Sequence, residues 1–467
     1  MTTLLCAALA FYAFCGYVAL GRTSSPEGGI VDVENTESNL TSDRSVFGAD
    51  STRWAQYAPY FPVEPYAAPP ASCEVDQVHI IQRHGARYPT SGAAARIQAA
   101  LARLQTATIL SDSSLAFVSN YTYTLGENSL VPLGAQESYD AGQEVYTRYP
   151  SLVDADRLPF VRASGSERVE QSATNWTAGF AAANSGVYVP VLSLVISEEG
   201  NDTLDDASCP QHISSPLPDA YIDIYAANLT AELNAGAPGA NLSNADTHAL
   251  VTLCMFESVA RQERSAWCDL FAGLDAWDGF EYWADLDKYY GTGYGNALGP
   301  VQGVGYVNEL VARLTSTPVS DSTSTNRTLD ASPATFPLNR TVYADFSHDN
   351  LMIPVFAAMG LFPTDPLDPA RANIGAGVWN VSRMVPFAGR MVVERLACGE
   401  GYEPADGSAD AEGRYVRVLV NQAVQPLAFC GASADGVCGL GAFVDSQAFA
   451  KSGGNGTWDA CFEAAAA

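Results

Sequence analysis

Lysine is nearly absent from this chain. Only Lys288 and Lys451 occur in 467 residues, and Lys and Arg together number 24 against 52 Asp and Glu, a net charge of -28 at pH 7. A field of that sign repels polyanions, which excludes nucleic acid and anionic membrane surfaces as partners. The repulsion fades near pH 4, where carboxylates titrate, so an acidic medium reconciles the charge with a small anionic ligand. An acidic surface also serves solubility after export. There is no CxxC pair and no Cys/His cluster, and the five histidines (His79, His84, His212, His248 and His348) lack metal-ligand spacing, so no metal is expected. GxxxxGKS/T and Cys-x5-Arg loops are missing too, leaving nucleotide-loop and cysteine-nucleophile chemistry unsupported. Beyond the N-terminus no segment is long and apolar enough to cross a bilayer, and no internal repeat is present.

What is there begins with an uncharged run from Leu4 to Leu20. Residues 1–21 read as a secretory signal, or as an uncleaved anchor at the short limit for a span, followed by a polar linker over 22–50. Cys6 and Cys15 fall inside the leader, which leaves Cys73, Cys209, Cys254, Cys268, Cys398, Cys430, Cys438 and Cys461, an even set suited to disulfides in an oxidising compartment. Asn39, Asn120, Asn175, Asn201, Asn228, Asn241, Asn326, Asn339, Asn380 and Asn455 each open an Asn-x-Ser/Thr triplet, consistent with a glycosylated, secreted protein.

The periodicity predicts an α/β fold. Strands are expected over 75–83, 158–163, 187–196, 341–346, 391–397 and 415–421, and helices over 93–106, 132–149, 166–183 and 350–359. Residues 201–329 carry helical patterns (245–263, 280–290, 303–314) and few strand signals, so they read as a mainly helical smaller domain inserted into a large α/β domain made of 51–200 and 330–467. A Ser/Thr/Asp/Pro-rich stretch over 315–337 is expected to return the chain as an exposed loop.

Chemistry concentrates where strands hand over to helices, the edge at which open α/β sheets meet ligands. Gln82-Arg83-His84-Gly85-Ala86-Arg87-Tyr88-Pro89-Thr90 places one histidine between two arginines, a nucleophile flanked by guanidiniums that match phosphate oxygens in pairs. Asp345-Phe346-Ser347-His348-Asp349-Asn350 repeats the strand-to-helix handover, with Asp349 suited to protonating a leaving alcohol and His348 to donating to phosphate. Ser347, Asp349 and Asn350 are also good helix caps, which is the plainer explanation of that motif. Arg162, in Phe160-Val161-Arg162-Ala163-Ser164, is expected at the same rim.

These segments resemble the histidine acid phosphatases and, within them, the fungal phytases. The resemblance runs from about Arg53 to Cys461 and includes RHGARYPT (83–90), Gln56-Tyr57, FVRASGSERV (160–169), DKYYGTGYGNALGPVQGVGYVNEL (287–310) and ADFSHDN (344–350). It implies the histidine acid phosphatase (phosphoglycerate mutase-like) fold and a covalent phosphohistidine at His84. Asp349 would be general acid, and Arg83, Arg87, Arg162 and His348 would bind the phosphoryl group. Gln56, Tyr57 and Lys288 would line the substrate pocket, and no metal or other cofactor would be needed. The implied disulfides are Cys73 with Cys398, Cys209 with Cys461, Cys254 with Cys268, and Cys430 with Cys438. The implied substrate is myo-inositol hexakisphosphate and its lower phosphates, acted on by a monomer with no obligatory protein partner. The alternatives are a broad acid phosphatase or an inactive inositol-phosphate-binding protein. The sequence departs from some relatives in having Ser91-Gly92-Ala93-Ala94-Ala95-Arg96 where they carry lysines, and Thr292 where they place histidine. TSGA after the signature and YAAPP (66–70) look most like the basidiomycete enzymes, which tend to begin at the 6-phosphate.

Overall fold

The β-branched and aromatic runs assemble into one mixed sheet. The computed structural model describes residues 44–200, 202–273, 275–371, 377–399, 402 and 413–463; the leader, Asn39 and Asn201 lie outside them. In chain order the elements are β1 (Cys73–Arg83), α1 (Ser91–Leu104), α2 (Pro132–Arg148), β2 (Phe160–Ser164), α3 (Glu167–Ala183) and β3 (Leu192–Ile196). Helices α4 (Leu217–Tyr225), α5 (Ala227–Gly236), α6 (Asn244–Arg261), α7 (Ala266–Asp269), α8 (Ala276–Gly291), α9 (Val304–Thr315) and α10 (Arg327–Asp330) follow. The chain then returns through β4 (Val342–Ser347), α11 (Asp349–Met359), α12 (Val381–Met384), β5 (Arg390–Cys398), β6 (Arg414–Val420) and β7 (Ala423–Val424).

Strand order is β3-β2-β4-β1-β5-β6-β7. The first four strands are mutually parallel, whereas β5 and β6 are antiparallel to their neighbours. The carboxyl ends of β1, β2, β3 and β4 therefore meet at one edge, and Arg83 pairs in register with Ser347. Because β4 lies between β1 and β2, successive connections diverge there and leave the crevice in which α/β folds take ligands. Cys73 and Cys398 face each other across β1 and β5 and are disulfide-bonded; the other bridges join Cys209 to Cys461, Cys254 to Cys268 and Cys430 to Cys438.

One face of the sheet is covered by α2 and α3, through Val145, Val169, Trp176 and Phe180 against Val78, Ile80, Val161 and Ala344. The main core joins Ile81 and Met391 of the sheet to helices on both sides of residue 201, including Ile97, Leu250, Phe256, Phe280 and Val307. Phe47 is buried against Trp54, so the end of the 22–50 stretch is packed onto the core. The 315–337 stretch is exposed or half-buried along most of its length, as expected, but Thr323, Ser324 and Thr325 within it are buried. Their polarity is absorbed locally, since the Asp321 carboxylate accepts from the Thr323 amide and from the Thr323 and Thr325 hydroxyls. No helix among the described residues is long and apolar enough to cross a membrane.

Candidate active site

The loop after β1 is fixed by its backbone. The His84 amide donates to the Ser347 carbonyl at 3.0 Å, and the Ala388 amide donates to the His84 carbonyl at 3.0 Å. A Cβ on Gly85 would sit 2.1 Å from the Gly134 carbonyl oxygen, so only glycine lets this loop approach the start of α2 so closely. From α2 the buried Glu137 carboxylate accepts from the Ala86 and Tyr60 amides, each at 2.8 Å.

That frame decides which nitrogen of His84 is free. Its Nδ1 lies 2.9 Å from the Gly85 carbonyl oxygen, which can only accept, so Nδ1 carries the proton and Nε2 presents its lone pair. Burial, reinforced by Arg83, Arg87, His348 and Arg168, holds the ring well below the usual histidine pKa. The imidazole thus stays neutral and nucleophilic in acid.

Arg83 and Arg87 flank it as expected. Arg83 donates to the carbonyls of Gln56 and, at 2.9 Å, Val385. Glu281 of α8 ties those two segments together, accepting from the Ala55 and Ser382 amides at 2.8 Å each. Even so, Nη2 of Arg83 and Nε of Arg87 are buried with no hydrogen-bond partner among the described residues. Burial of the Arg87 cation lowers its pKa to about 10, the mark of a guanidinium whose surroundings do not neutralise it.

Arg162 is not at this rim. It pairs with Asp345 across β2 and β4, donating to Asp345 at 2.7 and 3.0 Å and to Glu309 at 2.6 Å, while Arg313 donates to the same Asp345 at 2.7 Å. These ion pairs raise its pKa well above the ordinary value despite burial, and they occupy its Nε and Nη2 donors. The third arginine beside the histidines is Arg168, in the first turn of α3: its Nη2 lies 3.3 Å from Nδ1 of His348, and its Nε is buried without a partner among the described residues. The sequence carried a signal for it. His84 and Asp349 both lie just past the ends of their strands, and Arg168 also lies beyond its strand, whereas Arg162 is inside one and committed to the neighbouring strand.

Asp349 opens α11, directly after His348. One carboxylate oxygen is 3.4 Å from Nε of Arg83 and the other 2.9 Å from Nζ of Lys288, which also donates to Asn350 at 2.6 Å. Burial alone would raise this carboxyl, but Arg83 and Lys288 hold it well below the usual range. The His348 ring centroid is 5.7 Å from that of His84, and its Nε2 is 2.9 Å from the Glu198 carboxylate. Gln56 contributes its carbonyl to Arg83. The Tyr57 ring lies tilted with its centroid 4.5 Å from that of Phe256 and, with Arg96, His248 and Trp283, lines a neighbouring cavity of about 580 Å³. His79, inside β1, is instead bonded to Gln77, and His248 to the Tyr225 hydroxyl.

Comparison with known proteins identifies the family. Residues 74–421 match the family model of the histidine phosphatase superfamily (branch 2). Phytase A of Aspergillus fumigatus is 38% identical over 437 residues, covering 89% of this chain and 91% of that protein. Phytase A of Emericella nidulans is 40% identical over 435 residues, covering 88% and 90%. The crystal structure of the phytase from D. castellii has the same fold, with a TM-score of 0.68 at 22% identity over 86% of this chain and 85% of that one. With a matching family model over most of its length and relatives of this similarity, the chain belongs to branch 2 of the histidine phosphatase superfamily.

Proposed function

We propose that the protein is a secreted phytase, removing phosphate from myo-inositol hexakisphosphate through a phosphohistidine on His84. The observation that carries this reading is the set of buried, unpartnered donors on Arg83, Arg87 and Arg168 around a neutral imidazole. Buried guanidinium donors left without partners are costly, and a phosphate group satisfies all three arginines at once.

In this mechanism Nε2 of His84 attacks phosphorus as the bond from phosphorus to the inositol oxygen breaks, and Asp349 delivers a proton to that oxygen. In the free protein the Asp349 carboxyl is ionised. An incoming phosphate adds negative charge beside Arg83 and Lys288, which raises the carboxyl toward protonation in acidic medium, so the acid forms in the complex. Water then attacks the phosphohistidine, Asp349 takes up its proton, and inorganic phosphate leaves. Arg83, Arg87, Arg168 and His348 bind the transferred group, while Gln56, Tyr57 and Lys288 face the rest of the substrate. The helical insertion, 201–329, supplies the Lys288 wall. The basidiomycete-like TSGA and YAAPP segments support initial removal of the 6-phosphate.

Isolating the product after loss of one phosphate tests substrate and position together. Expected are the pentakisphosphate lacking the 6-phosphate and faster hydrolysis of phytate than of p-nitrophenyl phosphate; preference for the latter replaces phytase by broad acid phosphatase.

A further inference from the structure

His348 is held between Arg168 and Glu198, and the two contacts fix its protonation. Guanidinium groups only donate, so Nδ1, 3.3 Å from Arg168, is the acceptor, and Nε2 carries the proton directed at Glu198 2.9 Å away. The buried Ser164 hydroxyl donates to the same Glu198 oxygen at 2.7 Å, anchoring the carboxylate from the end of β2. The nitrogen turned toward Arg168 is therefore the one without a proton. A phosphate oxygen cannot bond there until Nδ1 gains one, which makes the ring an imidazolium with Glu198 against its far side.

We propose that Glu198 is a positioning residue that sets the tautomer of His348 and couples phosphate binding to uptake of one proton by that ring. This rests on the reading of His348 as a phosphate ligand given above. The charged and titratable groups facing the ring are Glu198 and Asp205 from the segment after β3, Arg168 from α3, His84 after β1, and the adjacent Asp349. Burial and then Asp206 push the Asp205 carboxyl up to about 6, so in acid Glu198 is the carboxylate left to balance the imidazolium. Its own carboxyl is lowered, first by the bond to His348.

The test is the inhibition constant of inorganic phosphate, measured competitively from pH 4 to 8 on the whole protein. Wild-type affinity should fall as pH rises through a break on which the titrations of phosphate itself and of Asp349 are superimposed in every variant alike, so the role of Glu198 is read from the difference between variant and wild type. E198Q keeps an acceptor for Nε2 but not the charge; its break should move down by about one unit, with affinity about tenfold weaker at pH 6 and little changed at pH 4. E198D, which retains the charge, should keep the wild-type break. E199Q, at an exposed neighbouring carboxylate, should match wild type and so separate the local contact from loss of net charge. An E198Q break identical to wild type, or an equal shift in E199Q, would overturn the role of Glu198 alone. Absence of competitive phosphate inhibition in the wild type would bring down the phosphohydrolase reading together with it.

Discussion

Nζ of Lys288 lies 2.9 Å from Asp349, and both are buried. Of the two lysines in the chain, one is thus spent at the candidate site, where it holds a carboxylate rather than facing solvent. On the proposed reading K288M removes a charge-assisted contact worth roughly 1.5–3 kcal/mol, so kcat/KM on phytate should fall by about 10- to 100-fold. The Asp349 carboxyl should also titrate at higher pH, as followed by carbon NMR. Unchanged kinetics would place Lys288 outside the substrate path.

Asp349 is assigned to the leaving alcohol, and leaving-group quality tests that. D349N should slow phytate hydrolysis at pH 5 by about 10²–10⁴-fold, with a smaller loss on p-nitrophenyl phosphate, whose phenolate leaves without a proton. Equal losses on both substrates would contradict the role.

The two arginines near the end of β2 should fail differently. R162M breaks a buried ion-pair cluster with Asp345 and Glu309 and should destabilise the fold by about 3–5 kcal/mol in denaturant titrations. R168M should leave the unfolding free energy within about 1 kcal/mol of wild type, because among the described residues its guanidinium is not committed to a carboxylate partner, while weakening phosphate inhibition by about tenfold or more. Reversed outcomes would restore Arg162 to the phosphate site.

This pair also shows what the sequence could and could not reveal. The strands under the site were legible because β-branched runs end at motifs, and His84, His348 and Asp349 follow those ends directly. Arg162 misled because position within a strand says nothing of what the adjoining strand offers, here Asp345. Helix α4 escaped notice since Pro216, Pro218 and the isoleucines are weak helix signals, and packing of Tyr221 against Tyr282 of α8 supplies what propensity lacks. Strand β3 covers only half of its predicted run: among the described residues it pairs only with β2, and Val187, Val189 and Val191 before it are exposed. Glu281 and Glu137 act on backbone amides distant in sequence, contacts that no local pattern encodes.

Stability should peak in acid. Among the described residues, burial raises the carboxyls of Asp202 (to about 7), Asp205 (to about 6), Glu281, Asp285 and Asp330, so the folded chain keeps protons that the unfolded chain releases above about pH 4. Burial also lowers His79, His84 and His248 (the last to about 3), so below about pH 6.5 the unfolded chain takes up protons that the folded one refuses. Five groups against three favour the folded state as pH drops from 8 to about 5. Below about pH 4 the sign reverses, because Asp345, at about 2, and Asp349 stay ionised only when folded. Calorimetry should therefore find the highest Tm near pH 5; a Tm that climbs steadily toward pH 8 would refute this balance.

The most direct test is acid-quenched trapping of labelled phosphate during turnover, followed by mapping of the labelled peptide. Label on His84, absent from H84A, is the predicted result. A protein carrying H84A that still labels, or a wild type labelled at another residue, would contradict the assignment of His84 as the group that attacks phosphorus.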